Sequence, residues 1–147
     1  MASLFFATLL VSAVGGLVPV VNVELWLLGV AATCPPEALV PVVLAASLGQ
    51  VAAKCLLYSG GDAAVSSLRC RPRARAALQK LEGRGSLGAA MVFGSALTGL
   101  PPLYVVSVVA GLARFPFARF VTLTMTGRVL RFAFVFLLPQ ALLALRR

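Results

Sequence analysis

Four apolar stretches dominate the chain, and charged or helix-breaking residues bound each of them. Residues 2–23 and 85–113 carry no charge, and residues 38–53 extend to Gly61 if Lys54 is tolerated. The last stretch, 115–145, contains only arginines as charged residues. Because a membrane-spanning helix needs about 20 apolar residues, this pattern predicts four membrane segments.

Two of the four stretches contain clusters that break a helix. Gly15, Gly16 and Pro19 interrupt the first stretch, and the sequence Gly99-Leu-Pro-Pro102 interrupts the third. Proline removes a backbone donor and clashes with the preceding turn. A longer helix is predicted after each break, so the two halves share one order of elements. Paired breaks of this kind are typical of inverted repeats in membrane transporters.

We therefore predict an all-α integral membrane protein, with two re-entrant helical hairpins and two long transmembrane helices in an inverted repeat. The alternative is four ordinary spans with proline kinks, which membrane helices tolerate. The predicted single domain, 1–147, divides into a first half-repeat (1–61), a basic interfacial linker helix (62–85) and a second half-repeat (86–147). The expected helices are 4–14, 23–32, 36–58, 86–98, 103–112 and 116–145.

The composition agrees with a membrane protein and narrows the chemistry. Hydrophobic residues make up 61% of the chain, charged residues 12%, and the mean hydropathy is +1.01. A soluble domain has about 45–50% apolar and about 25% charged residues. The chain has no histidine, and its three cysteines form no CxxC pair. We therefore expect no metal, no cofactor and no enzymatic activity.

The net charge of +9 is concentrated beside apolar runs. That placement predicts contact with membrane lipids and no nucleic-acid binding. The positive-inside rule places the central basic segment in the cytoplasm of a multi-pass cell-membrane protein. Its cations are expected to contact lipid headgroups, specifically or only as a topology signal. They are Arg69, Arg71, Arg73, Arg75, Lys80 and Arg84.

A few charges interrupt the apolar stretches, where charge is costly and usually functional. Glu24, next to Asn22, is a candidate coupling acid, or else an interfacial residue on a shallow turn. Arg128 and Arg131 share a helix face and are candidates for binding a lipid phosphate, with Glu24 as their counter-ion. The alternative for both arginines is snorkelling to the headgroups, which we also expect of Lys54.

The second break is a candidate headgroup path. A half-helix that begins near Pro102 points the positive end of its dipole into the membrane. The alternative role for the small residues is helix packing alone. The candidate residues are Thr98, Gly99, Pro101, Pro102 and Tyr104, with the hydroxyl of Ser107 nearby.

The residues around the second break resemble a known family. The run Phe93-Gly-Ser-Ala-Leu-Thr-Gly-Leu-Pro-Pro-Leu-Tyr104, followed by Ala110-Gly111 and Arg114-Phe-Pro-Phe-Ala-Arg-Phe120, is similar to the DedA family. This family is also called the VTT or SNARE-associated domain, and the likeness is nearest to its short YqaA-like members. Two departures are Ser95, where larger members have an arginine, and Lys54, near a usual small residue.

The resemblance implies re-entrant hairpins, lipid flipping or scrambling, envelope homeostasis and, in some members, proton coupling. It therefore favours hairpins over kinked spans. We expect DedA-like translocation of a lipid or lipid phosphate, with protons as the coupling ion and a homo-oligomer as the assembly. The alternatives are a small four-span proton-coupled exporter of small molecules and a non-transporting membrane scaffold.

Overall fold

The computed structural model describes residues 2–18, 22–68 and 85–145, and regular secondary structure within those ranges is entirely helical. Pro19 and the basic segment 69–84 lie outside the described residues. The all-α prediction is confirmed. The helices are α1 (Ala2–Leu17), α2 (Val23–Thr33), α3 (Leu39–Leu68), α4 (Gly85–Thr98), α5 (Leu103–Leu112) and α6 (Phe117–Leu145).

Two of these helices are long and apolar enough to cross a membrane. The candidate spans are Leu39–Gly61 in α3, with a mean hydropathy of 1.8, and Phe117–Leu138 in α6, with 1.6. Helix α3 begins three residues later than expected, because Pro36–Ala38 forms a 3-10 turn in which the N–H of Ala38 donates to Pro35. The other four helices have 16, 11, 14 and 10 residues.

The second break lies where the glycine and prolines predict it. Helix α4 ends at Thr98, and Gly99 takes a φ of 83°, which glycine adopts without a steric penalty. Pro102 then caps α5, and its carbonyl oxygen accepts the N–H groups of Val105 and Val106. Helix α4 packs against α5, and in the same way α1 packs against α2.

The chain forms two compact units. The first contains residues 1–53 and 128–147, and the second contains residues 54–127, so α3 and α6 each contribute one part to each unit. The buried core of the first unit includes Leu27, Val42, Ala46, Phe132 and Phe136. The core of the second includes Tyr58, Val92, Ala96, Leu103 and Phe120. The division into half-repeats stays a prediction.

In the second unit, α3 lies directly against the backbone of α5. A Cβ atom added at Gly61 would collide with the carbonyl oxygen of Val108 and come within 3.2 Å of the backbone nitrogen of Leu112. Small residues allow such close approach between membrane helices. One turn earlier on α3, the Tyr58 hydroxyl donates to the carbonyl oxygen of Phe115, and this bond joins α3 to the turn before α6.

Candidate functional site

The candidate site of the first unit begins at the N-terminus of α2. Asn22 caps this helix, and its Oδ1 accepts the backbone N–H groups of Glu24, at 3.0 Å, and Leu25, at 3.4 Å. The cap satisfies two helix-end donors and sets the direction in which the first turn leaves the loop. Asn22 was predicted to act together with Glu24. In the structure it caps α2 and so positions Glu24.

Glu24 forms an ion pair with Arg131 of α6, 107 residues away in the chain. Its Oε1 accepts Nε–H of Arg131 at 2.7 Å and also an Nη2–H of the same guanidinium. The side chains are only partly exposed, 21% for Arg131 and 35% for Glu24. Glu24 also lies at the positive end of the α2 dipole, which stabilises a carboxylate further.

Arg128 lies one turn before Arg131 on α6 and is half-buried. Its guanidinium carbon is 5.6 Å from the centre of the Phe132 ring, within the range of a cation–π contact. Its Nε is buried and has no hydrogen-bond partner among the residues that the structure describes. Arg128 interacts electrostatically with both Arg131 and Glu24, so the three side chains form one charged cluster.

Both arginines lie within the candidate span of α6, as their spacing from Pro116 predicts. Arg131 binds Glu24, and Arg128 stacks on Phe132. The expectation that Lys54 snorkels is wrong. The residue is 4% exposed, because it lies on the buried face of α3 together with Val51 and Tyr58, so its side chain does not reach the surface.

In the second unit, hydroxyl groups hold the turn between α4 and α5. The fully buried hydroxyl of Ser95 donates to the carbonyl oxygen of Pro101. The Thr98 hydroxyl oxygen lies 2.7 Å from the carbonyl oxygen of Gly94 and accepts the N–H of Leu100 at 3.2 Å. Ser95 stands where the resemblance places an arginine. The turn therefore has a neutral hydrogen bond from serine at the position where larger family members have a charged side chain.

The remaining residues of the predicted headgroup path divide by exposure. Pro101, Pro102 and Tyr104 are exposed, whereas Ser107 is buried and donates to the carbonyl oxygen of Leu103 at 2.6 Å. The Ser107 hydroxyl therefore makes its hydrogen bond within α5. Within the described ranges, no group of three histidine, cysteine or acidic residues is placed to hold a metal ion.

One contact in the first unit escaped the sequence reasoning. Trp26 Nε1–H donates to Oγ1 of Thr8 at 3.2 Å, and this bond joins α2 to α1 two residues after Glu24. Thr8, Ser12 and Gly16 are the buried residues of α1. Because these small residues are four apart, they lie on one face of the helix. This spacing could have indicated from the sequence which face of α1 packs against other helices.

The comparison with known families agrees with the fold. A model of the VTT domain matches residues 18–140, which is most of the chain. No curated relative and no solved structure matches the chain significantly. The match covers both candidate spans, the charged cluster and the turn between α4 and α5. The chain therefore belongs to the VTT-domain family of DedA-like membrane proteins.

Proposed function

We propose that this protein moves an anionic lipid or a lipid phosphate between the two leaflets of a membrane, and that Glu24, Arg128 and Arg131 bind its headgroup. The observation that supports this proposal is the ion pair of Glu24 with Arg131, next to Arg128, because both arginines lie inside a candidate span. Charges are expensive in a bilayer and are usually kept there for function.

The charges of the cluster favour an anion. Two guanidinium groups and one carboxylate leave one positive charge, which matches one phosphate diester. A guanidinium binds phosphate oxygens in the same forked geometry that it uses for a carboxylate. A headgroup phosphate therefore exchanges with Glu24 on Arg131, while Arg128 supplies further N–H donors. The same charge speaks against a cationic substrate and so against the small-molecule exporter of that type.

A proton on Glu24 changes the balance of the cluster. Protonation removes the counter-ion of Arg131 and raises the charge of the three side chains from one positive charge to two. Headgroup binding is therefore coupled to protonation of Glu24, and release follows when the carboxylate regains Arg131. This is the coupling-acid role that we propose for Glu24, with protons as the coupling ion.

We propose further that α1 with α2, and α4 with α5, are re-entrant hairpins, and that α3 and α6 span the membrane in an inverted repeat. The lengths support this arrangement, because 16, 11, 14 and 10 residues fall short of the roughly 20 needed to cross. In this arrangement the segment 69–84 is cytoplasmic and contacts anionic lipid. We also propose that the protein assembles as a homo-oligomer.

Cysteine labelling tests the hairpin directly. With Cys34, Cys55 and Cys70 replaced by alanine, single cysteines are introduced at Ser86 and at Arg114. Both positions are exposed, one at the start of α4 and the other just after α5. We expect a membrane-impermeant maleimide to reach both from the same side of sealed vesicles. Labelling from opposite sides would mean that α4 and α5 cross the membrane together as a kinked span.

Transport in liposomes tests the function. Purified protein is reconstituted, and the movement of a fluorescent phosphatidic acid between leaflets is followed by dithionite quenching. We expect Glu24→Gln to abolish the response to a pH gradient. Arg128→Gln and Arg131→Gln are expected to reduce the rate by about tenfold or more, because each removes charge-assisted hydrogen bonds to the headgroup.

Matched variants separate these effects from general damage. Glu37→Gln removes an exposed carboxylate from the 3-10 turn, and Arg119→Gln removes an exposed guanidinium from the first turn of α6. Both are expected to transport at the wild-type rate. Full activity of Glu24→Gln, including its response to the gradient, would end the proton role. Absence of lipid movement by the wild-type protein would favour the scaffold, whose basic segment would then carry the phenotype.

A further inference from the structure

The second unit contains a cavity that the charged cluster does not use. Its volume is about 300 Å³, within the lower range of small-molecule sites, and α4 and α5 form its walls. The wall side chains are almost all aliphatic. They include Met91, Val92, Val105, Val106, Val109 and Ala110.

The cavity extends along the length of α5. It is lined from Pro101, in the turn between α4 and α5, to Pro116, at the opposite end of α5. The ten residues of α5 rise by about 15 Å, half the roughly 30 Å hydrocarbon thickness of a bilayer.

One end of the cavity carries a cation. Arg114 is the charged residue among those that line it, and its side chain is exposed. Two backbone hydrogen bonds hold the turn that contains Arg114. The N–H of Arg114 donates to the carbonyl oxygen of Gly111 at 3.0 Å, and the N–H of Phe115 donates to that of Ala110 at 2.9 Å. Arg114 also lies three residues before the candidate span of α6, close to where an apolar segment begins.

We propose that this cavity binds one acyl chain of an anionic lipid, whose headgroup Arg114 holds through its guanidinium. An apolar cavity that extends along α5 can take part of a lipid tail, and a guanidinium at its end selects a phosphate or carboxylate headgroup. The net charge of +9 also favours an anionic ligand over a cationic one. A second copy of the chain carries the same net charge of +9 and is therefore less complementary to Arg114 than an anionic headgroup is.

This site does not depend on the proposed translocation. The charged cluster belongs to the first unit and the cavity to the second, so a lipid held at Arg114 can be a stable component of the protein whether or not Glu24 and Arg131 move a headgroup. The test therefore measures binding in the absence of any gradient or transport.

Photo-crosslinking locates the lipid. Full-length protein in phosphatidylcholine nanodiscs is loaded with a phosphatidic acid that carries a diazirine near the end of one acyl chain, and the adducts are mapped by peptide mass spectrometry. We expect adducts to concentrate between Leu87 and Val92 and between Val105 and Val109. Excess unlabelled phosphatidic acid should compete, whereas diacylglycerol with the same chains should not.

Two variants separate the tail from the headgroup. Arg114→Gln is expected to lower the adduct yield about five- to tenfold by removing a charge-assisted contact, whereas Arg119→Gln leaves it unchanged. Val109→Trp should fill the cavity and remove the adducts while Arg114 stays in place. Equal melting temperatures of the variants show that each is folded.

Four outcomes would overturn the proposal. Adducts of equal yield on the exposed faces of α1, or equal competition by diacylglycerol, would show nonspecific contact with surrounding lipid. An equal loss in Arg114→Gln and Arg119→Gln would remove the role of Arg114. Disulfide-linked dimers of a Val105→Cys variant, without lipid adducts, would show that a second copy occupies the cavity.

Discussion

Replacing Arg131 with glutamine is expected to destabilise the folded protein by about 2 kcal/mol, because the partly exposed Glu24 carboxylate then loses the charge-assisted hydrogen bonds of the guanidinium that it contacts. The double variant Glu24→Gln with Arg131→Gln should recover most of that loss, since two neutral amides leave no uncompensated charge. The free energies of unfolding are measured in mixed micelles with increasing amounts of denaturing detergent, for the wild type, both single variants and the double variant.

The four proteins form a double-mutant cycle. A coupling energy of about 2 kcal/mol is expected between the two positions, whereas residues that do not touch give additive effects. Glu37→Gln combined with Arg131→Gln is the matched control, since Glu37 is an exposed carboxylate outside the cluster. Additive effects in the Glu24 cycle would contradict the ion pair. The double variant also distinguishes stability from transport, because we expect it to be stable but unable to move lipid.

Gly61→Ala is expected to lower the free energy of unfolding by about 2–3 kcal/mol, whereas Gly60→Ala should leave it unchanged or raise it by about 1 kcal/mol. The new Cβ at position 61 would collide with the carbonyl oxygen of Val108, and a backbone atom cannot rotate away. A Cβ at position 60 meets nothing within 4 Å. The same unfolding experiment in mixed micelles measures both variants.

The neighbouring glycines make this comparison strict. Both lie in α3 and within its candidate span, so alanine changes helix propensity in the same way at each. The difference between the two variants therefore isolates the approach of α3 to α5. If both variants unfold at the wild-type detergent concentration, the close packing of the two helices at Gly61 is wrong.

Local chemistry was sufficient to predict the break between α4 and α5, but it did not predict that α1 continues through its two glycines to Leu17 or that α3 continues to Leu68. Gly99, Pro101 and Pro102 break the chain through φ preference and missing donors, properties of the residues themselves. The predicted helices 86–98 and 103–112 therefore agree with α4 and α5 to within one residue. Asn22 also had a local signal, because asparagine just before an apolar helix is a common N-cap. That signal was overlooked when Asn22 was grouped with Glu24.

Contacts between distant residues were only partly predictable. A carboxylate within an apolar stretch requires a counter-ion, so the sequence indicated that Glu24 would approach the arginines of the last helix. It did not separate Arg128 from Arg131, because residues three apart share a helix face. The packing of α2 against α6 decides that Arg131 contacts Glu24 and that Arg128 stacks on Phe132. The burial of Lys54 was likewise not predictable from the sequence, because it depends on which side chains pack around α3.

By itself, the sequence determined that the protein is helical, belongs in a membrane, breaks its helix at Gly99–Pro102 and carries a few charges within apolar stretches. These properties follow from composition and from the conformational limits of single residues. Only the tertiary structure decided which arginine pairs with Glu24, how closely α3 approaches α5 at Gly61, and that an apolar cavity lined in part by Arg114 lies along α5. Each of these depends on the distance between helices, which side-chain packing sets and which no local pattern records.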